Sequence, residues 1–262
     1  MIVANLHRQT VVLDRAQHRR LKVHQPRMDW SIAAGLNALF VAGAEFGDVC
    51  REYPILFVRA GNDEQGRAAV APIAALGLSQ SENLYLDGQE WRALYMPALL
   101  RSYPFTFAQA GSEPRSVLSI DIGWAGWSQA EGLPLFDEQG QPGEHLKTMH
   151  KLLEQFEVEV QRTRELGRLL MDKDLLREMR FDAELPDGQK LKVDGFLAID
   201  EKQLARLSDA DALHLQRSGV MGLIYAHLVS LGNIRKLVQW RFERQGSSSP
   251  PPADQAASAA PS

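Results

Sequence analysis

The chain has 262 residues, 45% hydrophobic and 24% charged, which is enough apolar content for a sizeable core in one large domain or two small ones. A formal net charge of -4 and an isoelectric point near 6.0 provide no broad positive field for a polyphosphate, so nucleic acid is not an expected partner. The single cysteine, Cys50, excludes an intramolecular disulfide framework and a multi-cysteine metal site.

The opening stretch, "MIVANLHRQTVVLDRAQHRR", has no basic region followed by a continuous apolar run and a small-residue cleavage site. No segment reaches the roughly 18 uncharged apolar residues that a bilayer span requires. The expected location is therefore cytoplasmic, with surface placement through non-standard export left open. His18, Arg19, Arg20 and Lys22 form a short basic run of the kind that normally lies on a solvated face.

In chain order, Thr10 to Asp14 and Leu21 to Gln25 read as short extended segments. Asp14 and His18 between them are spaced to share one face of a helical turn, as a surface hydrogen-bonded pair. "NALFVAG" then reads as a strand, "AEFGDVCRE" as a short helix, "YPILFVRA" as a strand, "GNDEQG" as a turn and "AAVAPIAALGL" as a strand. The order recurs in "NLYLDG", "EWRALYMPALLRS" as the helix, "YPFTFAQA", the turn "GSEP" and "RSVLSIDIG".

Both passes fit R-x-Y-P-x-x-F-x-x-A-G, from Arg51 to Gly61 and from Arg101 to Gly111. Six identities in eleven positions are expected about once by chance in a chain of this length. The repeated order of elements adds weight for an internal duplication of about 45 to 50 residues, with chance the competing account. Physically, each proline pushes its tyrosine out of the α region, so Tyr53 and Tyr103 end a helix and begin a strand. Arg51 and Arg101, in the last helical turns, are placed to meet the C-terminal carbonyls.

Further on, Leu146, Met149, Leu153, Phe156 and Val160 step by three and four, predicting a long amphipathic helix that Gly167 weakens. "DKDLLREM" reads as its last turns or as a separate helix. A hairpin follows, from Phe181 to Leu185 through "PDGQ" to Lys190 and Ile199. Ser208 and Asp211 fit a capping box, and Gly219 stops that helix. "VMGLIYAHLVSL" is apolar nearly all round and is predicted to be the most buried helix of the C-terminal half. Gly232 and Asn233 permit a break before "IRKLVQWRFERQ".

The predicted fold class is α+β. An antiparallel or mixed sheet region carries the strand-helix-strand-strand duplication over 25–133, and a mainly helical part with a hairpin covers 142–245. Together they are expected to form a single globular domain over 1–245, followed by a disordered Pro/Ala/Ser tail over 246–262.

The succession of "YPILF", "NLYLDGQEWRALYMPALLRSYPF", "SIDIG", "LFDEQGQP" and "GFLAIDEKQLARLSDADALHLQRSGVMGLIYAHLVSLGN" resembles the bacterial SapC family over roughly residues 30 to 235. The family name implies an association with bacterial surface layers. Related genes lie beside TonB-dependent receptors and tryptophan-halogenase-like proteins, which implies a setting in uptake. The resemblance carries no catalytic residue set.

The sequence holds no GxGxxG after a strand, no GxxxxGK[ST], no GxSxG, no HExxH and no EF-hand loop, so no cofactor or metal is expected. His145 and His150 are five apart and read as solvated helix residues, Cys50 as a buried inert thiol, and His227 as a core histidine bonded to a carbonyl or an acid. Asp121, at the end of an apolar strand, must find donors. Arg51 or Arg101 is the expected partner, in either a structural bridge or the polar end of a pocket. Trp91, Trp124 and Trp127 are candidate pocket walls.

The candidate ligand-binding residues are thus Arg51, Tyr53, Trp91, Arg101, Tyr103, Asp121 and Trp124, with core packing as the alternative role. The leading functional reading is a non-catalytic binding or adaptor protein for a peptide, a protein or an aromatic small molecule, with homo-oligomerisation open. One alternative is a small-molecule or peptide-modifying enzyme in which Asp121 acts as acid or base, an arginine holds a carboxylate and Tyr53 or Tyr103 supplies a hydroxyl. Another is a surface-layer component.

Overall fold

The computed structural model describes residues 6–24, 29–63, 65–109, 116–184 and 190–247, and these form a mixed α+β architecture with antiparallel sheets. Strands β1 (Thr10–Val12) and β2 (Lys22–Val23) fall in the two extended segments read from the sequence. Between them the Asp14 carboxylate accepts the amides of Ala16 and Gln17, and the Asp14 amide donates to His18 Nδ1 at 2.9 Å. This is the expected surface pair.

Next come β3 (Ala38–Phe40), helix α1 (Phe46–Glu52), β4 (Ile55–Asn62) and β5 (Ala68–Ala75), in the order read for the first pass. Tyr53 caps α1 with φ -119° and ψ 144°, the extended conformation that a following proline imposes.

The second pass departs from its reading. Its first strand shrinks to β6 (Leu86–Asp87), and the expected helix over "EWRALYMPALLRS" becomes β7 (Glu90–Trp91), an irregular loop over 92–97 and the single turn α2 (Ala98–Arg101). Pro97 restricts Met96 and removes an amide, and carboxylates outside the segment take loop amides that a helix would have needed. Strands β8 (Phe105–Gln109) and β9 (Ser116–Asp121) then form the expected hairpin, whose turn "GSEP" lies outside the described residues.

Beyond β10 (Trp127–Ser128) and β11 (Leu133–Pro134) runs α3 (Glu144–Asp172), 29 residues long. It ends where Asp174 adopts φ 51°, so "DKDLLREM" does not continue it and Leu176 already begins a strand. Strands β12 (Leu176–Glu184) and β13 (Lys190–Ile199) form the hairpin, again with its expected turn outside the described residues. The chain closes with α4 (Glu201–Leu204), α5 (Asp209–Arg217), α6 (Val220–Ser230) and α7 (Ile234–Ser247). Ser208 caps α5 by accepting the Asp211 amide, and Gly219 follows that helix with φ 79°. Of the expected tail, Gly246 and Ser247 belong to α7, and the remainder lies outside the described residues.

The strands form a five-stranded sheet ordered β12-β13-β4-β5-β3, three-stranded sheets ordered β1-β9-β8 and β10-β2-β11, and the β6-β7 pair. The hairpins after Tyr53 and Tyr103 therefore share a local order but lie in different sheets. Tyr103-Pro104 is cis, and the elements upstream of the two tyrosines differ, so duplication of a whole unit is not established.

One buried cluster extends from Leu6 to Leu237. Helix α3 lies across β5, and Gly167 sits tightly against it: a Cβ there would be 2.7 Å from the Val70 carbonyl oxygen. The glycine that reads as a helix weakness is thus a steric requirement of packing.

Helix α6 has the smallest exposed share among the helices of the C-terminal half, as its apolar composition predicts, but it is not buried all round. Strands β4 and β13 pair only at Leu197 and Phe57, and α6 lies against this seam. There the Ile199 amide donates to His227 Nε2 at 3.1 Å and the Ile55 amide to Ser230 Oγ at 2.9 Å. The buried face of α6 includes these polar side chains because strand amides without a ladder partner need acceptors. Its apolar Tyr225 and Val229 are 56% and 70% exposed. His227 accepts from a backbone amide instead of donating to a carbonyl or acid at Nε2, and burial pushes its pKa down to about 4.

Candidate functional site

Helix α1 and its preceding turn carry Glu45 and Glu52, seven residues and two turns apart on one face. Both carboxylates hold the 92–97 loop. Glu52 accepts the amides of Leu94 at 2.9 Å and Tyr95 at 2.7 Å. Buried Glu45 accepts the Ala98 amide at 2.7 Å and the Tyr95 hydroxyl at 2.9 Å, with the Ala42 amide on its other oxygen. The Tyr53 hydroxyl donates to the Tyr95 carbonyl at 2.5 Å and accepts the Trp91 indole N–H at 2.7 Å. The loop is fixed through its amides, a carbonyl and a side chain.

Aromatic rings form the floor beneath it. Tyr53 and Tyr85 stack at 4.4 Å, Trp91 lies 5.8 Å from Tyr85, and Trp240 of α7 meets Tyr85 edge-on at 5.1 Å. Burial is the first cause raising the phenol pKa values of Tyr53, Tyr85 and Tyr95, with the Glu45 carboxylate adding to the effect at Tyr95. These hydroxyls are neutral hydrogen-bonding groups near neutral pH.

The carbonyls at the C-terminal end of α1 are met by side chains from distant parts of the chain. Asn233 Nδ2 donates to the Cys50 and Tyr53 carbonyls, while Lys236 Nζ and the Tyr85 hydroxyl donate to the Glu52 carbonyl at 3.0 and 2.6 Å. Arg51, expected to interact with this end, is 76% exposed and points to Asp48 at 3.7 Å. Lys236, anchored on α7, reaches carbonyls that a neighbouring side chain on the same short helix does not.

A second cluster surrounds Asp121, which is 1% exposed at the end of β9. Its oxygens accept the amides of Arg8 at 2.9 Å, Gln9 at 3.1 Å and Gly123 at 3.1 Å, and the Tyr103 hydroxyl at 3.2 Å. Its backbone carbonyl accepts the Trp127 indole N–H at 2.8 Å. Trp124 packs edge-on against both Tyr103 and Trp127. Burial, followed by the Asp121 carboxylate, raises the Tyr103 phenol pKa.

The expected arginine partners of Asp121 are absent from its hydrogen-bond set. Arg51 is on the surface of α1, and the Arg101 guanidinium lies 5.7 Å from the centre of the Tyr95 ring. The chain resolves the buried charge with amides gathered from two segments, which hold a carboxylate without burying a second ion.

The seven candidate residues therefore divide. Tyr53 and Trp91 lie in the loop network with Arg101 above Tyr95, Tyr103, Asp121 and Trp124 form the second cluster, and Arg51 stands apart. The sequence reading missed Glu45, Glu52, Tyr95 and Lys236. Seven-residue spacing of two glutamates around a short helix, opposite a loop ending in Met96-Pro97, was the available signal.

His145 and His150, expected to be solvated, pack on Phe105 and Phe107 of β8 at 5.7 and 5.6 Å. Cys50 is half-buried, and its thiol donates to the Gly47 carbonyl. A polar cleft of about 730 Å³ between the 3-10 turn at Trp30–Ala33, the β6-β7 region and α7 is lined by residues including Ser31, Asp87, Arg92 and Arg244. A second, of about 420 Å³, lies where β4 and β13 diverge around Arg59 and Gly195. Among the described residues no cluster of three or more His, Cys, Asp or Glu side chains is arranged to hold a metal, and no helix is long and apolar enough to cross a membrane.

The fold and these clusters define an α+β protein whose polar side chains are organised to position backbone. A family model described as SapC matches residues 13–237, and the chain belongs to the SapC family. No curated protein and no solved structure matches it.

Proposed function

We propose that this SapC-family chain is a non-catalytic binding or adaptor protein that engages a protein or peptide in a bacterial uptake or surface-related pathway. The observation that supports this reading is that the polar groups of both clusters are engaged within the chain itself. Asp121 carries three backbone amides and a phenol, and Glu45 and Glu52 carry the 92–97 loop. A general acid or base requires a proton or lone pair directed at a substrate. The buried Tyr53 and Tyr85 rings beneath the loop support this reading indirectly, because they stiffen the surface that the loop presents. The uptake or surface setting rests on family membership, and a cytoplasmic site of action is part of the proposal.

Native mass spectrometry of the full chain isolated from its bacterial host tests this reading. A stoichiometric protein or peptide adduct is the expected result. Time-dependent conversion of a metabolite by the purified chain, abolished in Asp121→Asn, would replace it with the enzyme reading. Self-assembled arrays on the cell surface would favour a surface-layer component.

A further inference from the structure

Leu94 is 99% exposed, more than any other large hydrophobic side chain exposed among the described residues. A single leucine in water is ordinary on a mobile loop. This one is carried on a segment held from several directions. The Leu94 and Tyr95 amides are on Glu52, the Ala98 amide and Tyr95 hydroxyl on Glu45, the Tyr95 carbonyl on Tyr53, and the Arg92 amide on the Tyr85 carbonyl at 2.8 Å.

Such fixation removes ordering cost that association would otherwise incur. A convex side chain cannot enclose a small ligand, but it can enter a concavity on another macromolecule. The charges beside it are directional. Glu45 and Glu52 face the loop amides, whereas exposed Arg101 lies over Tyr95 and has no carboxylate within ion-pair distance among the described residues. Arg51, beside Glu52, makes a long, solvent-exposed contact of 3.7 Å with Asp48.

Building on the binding reading, we infer that the 92–97 loop is a docking element: Leu94 enters a leucine-sized apolar pocket of a different protein, with carboxylates on the pocket rim facing Arg101 and Arg51. Leu94 is the anchor, and the arginines select and orient the partner.

The test places a diazirine-bearing amino acid at position 94 of the full chain in its host, with the same group at Val158, another exposed apolar site at 52%, as control. Illumination is expected to give one defined adduct from position 94 and none from 158. The cross-linked partner residue should lie in an apolar pocket with Asp or Glu at its rim. In native mass spectra Leu94→Ser should reduce the retained partner about 30-fold, the scale of a hot-spot anchor. Arg101→Gln should reduce it a few-fold, with the difference shrinking at high salt. Because Leu94 is solvent-exposed, Leu94→Ser is expected to fold normally, which its melting temperature checks.

A complex fully retained by Leu94→Ser overturns the docking assignment and leaves the binding reading standing. Absence of any complex from the unmodified chain removes both. Adducts formed only with another copy of this chain, or equally from position 158, also overturn the assignment.

Discussion

Glu52 and Tyr95 meet at 2.7 Å, with the Tyr95 amide donating to the carboxylate and the Leu94 amide on its other oxygen at 2.9 Å. Two adjacent amides on one carboxylate define a loop conformation that a neutral isostere cannot reproduce, because an amide side chain turns its NH2 toward one of the donors. Glu52→Gln should lower the unfolding free energy by about 1 to 3 kcal/mol. It should also accelerate hydrogen exchange at Leu94 and Tyr95 selectively. Unchanged exchange at those amides would mean that the loop is fixed by other contacts.

Gly167 and the Val70 carbonyl provide a steric prediction. Alanine improves helix propensity by about 1 kcal/mol, yet the added Cβ falls 2.7 Å from a backbone oxygen that must shift to accommodate it. Gly167→Ala should destabilise by about 1 to 2 kcal/mol net. Gly222→Ala in α6, where an added Cβ has no neighbour within 4 Å, should have the opposite sign. Denaturant titration of the pair separates packing from propensity, and equal effects would contradict the close-approach account.

At Asp121, the two oxygens face donors on both sides. In Asp121→Asn one of those donors meets an NH2 whichever way the amide turns. The expected loss is about 2 to 4 kcal/mol, against about 1 kcal/mol for Tyr103→Phe, which removes one hydrogen bond. Equilibrium unfolding of both variants tests the ranking. A larger loss in Tyr103→Phe would show that the phenol, not the amide cradle, holds the carboxylate.

His227 gives the fold an acid dependence. Its folded-state pKa lies near 4, below the ordinary value of 6.5, because burial disfavours the imidazolium. Between these values the unfolded chain binds a proton that the folded chain refuses, so stability falls as pH drops from 6.5 toward 4. The full contribution is present above that window, and its loss across it is about 3 kcal/mol at most. Burial lowers the His145 pKa as well, adding a dependence of the same sign. His227→Gln, which retains an acceptor for the Ile199 amide, should flatten the pH profile of unfolding. An unchanged profile would assign the acid sensitivity to other groups.

Much of the secondary structure was legible because its causes are local. The stripe from Leu146 to Val160 predicts α3, Ser208 caps α5, Tyr53 leaves α1 before its proline, and the alternating runs after both Tyr-Pro pairs become hairpins. Residues within one or two turns of each other supply those preferences. Where the reading failed, the deciding partner was remote: the segment from Glu90 to Ser102 has helical composition, but Glu45 and Glu52 compete for its amides.

The candidate site was legible as a set of residue types and not as a set of neighbours. Tyr53, Trp91, Tyr103 and Asp121 all enter buried polar networks, yet Arg101 and Tyr103, two positions apart, join different ones. Sequence alone determined the α+β class, the family resemblance and the need for Asp121 to find donors. Tertiary structure decided that those donors are backbone amides, that Lys236 rather than Arg51 meets the end of α1, and that Leu94 stands outside. A buried carboxylate requires compensation wherever it occurs, but which donor supplies it depends on segments brought together only by folding.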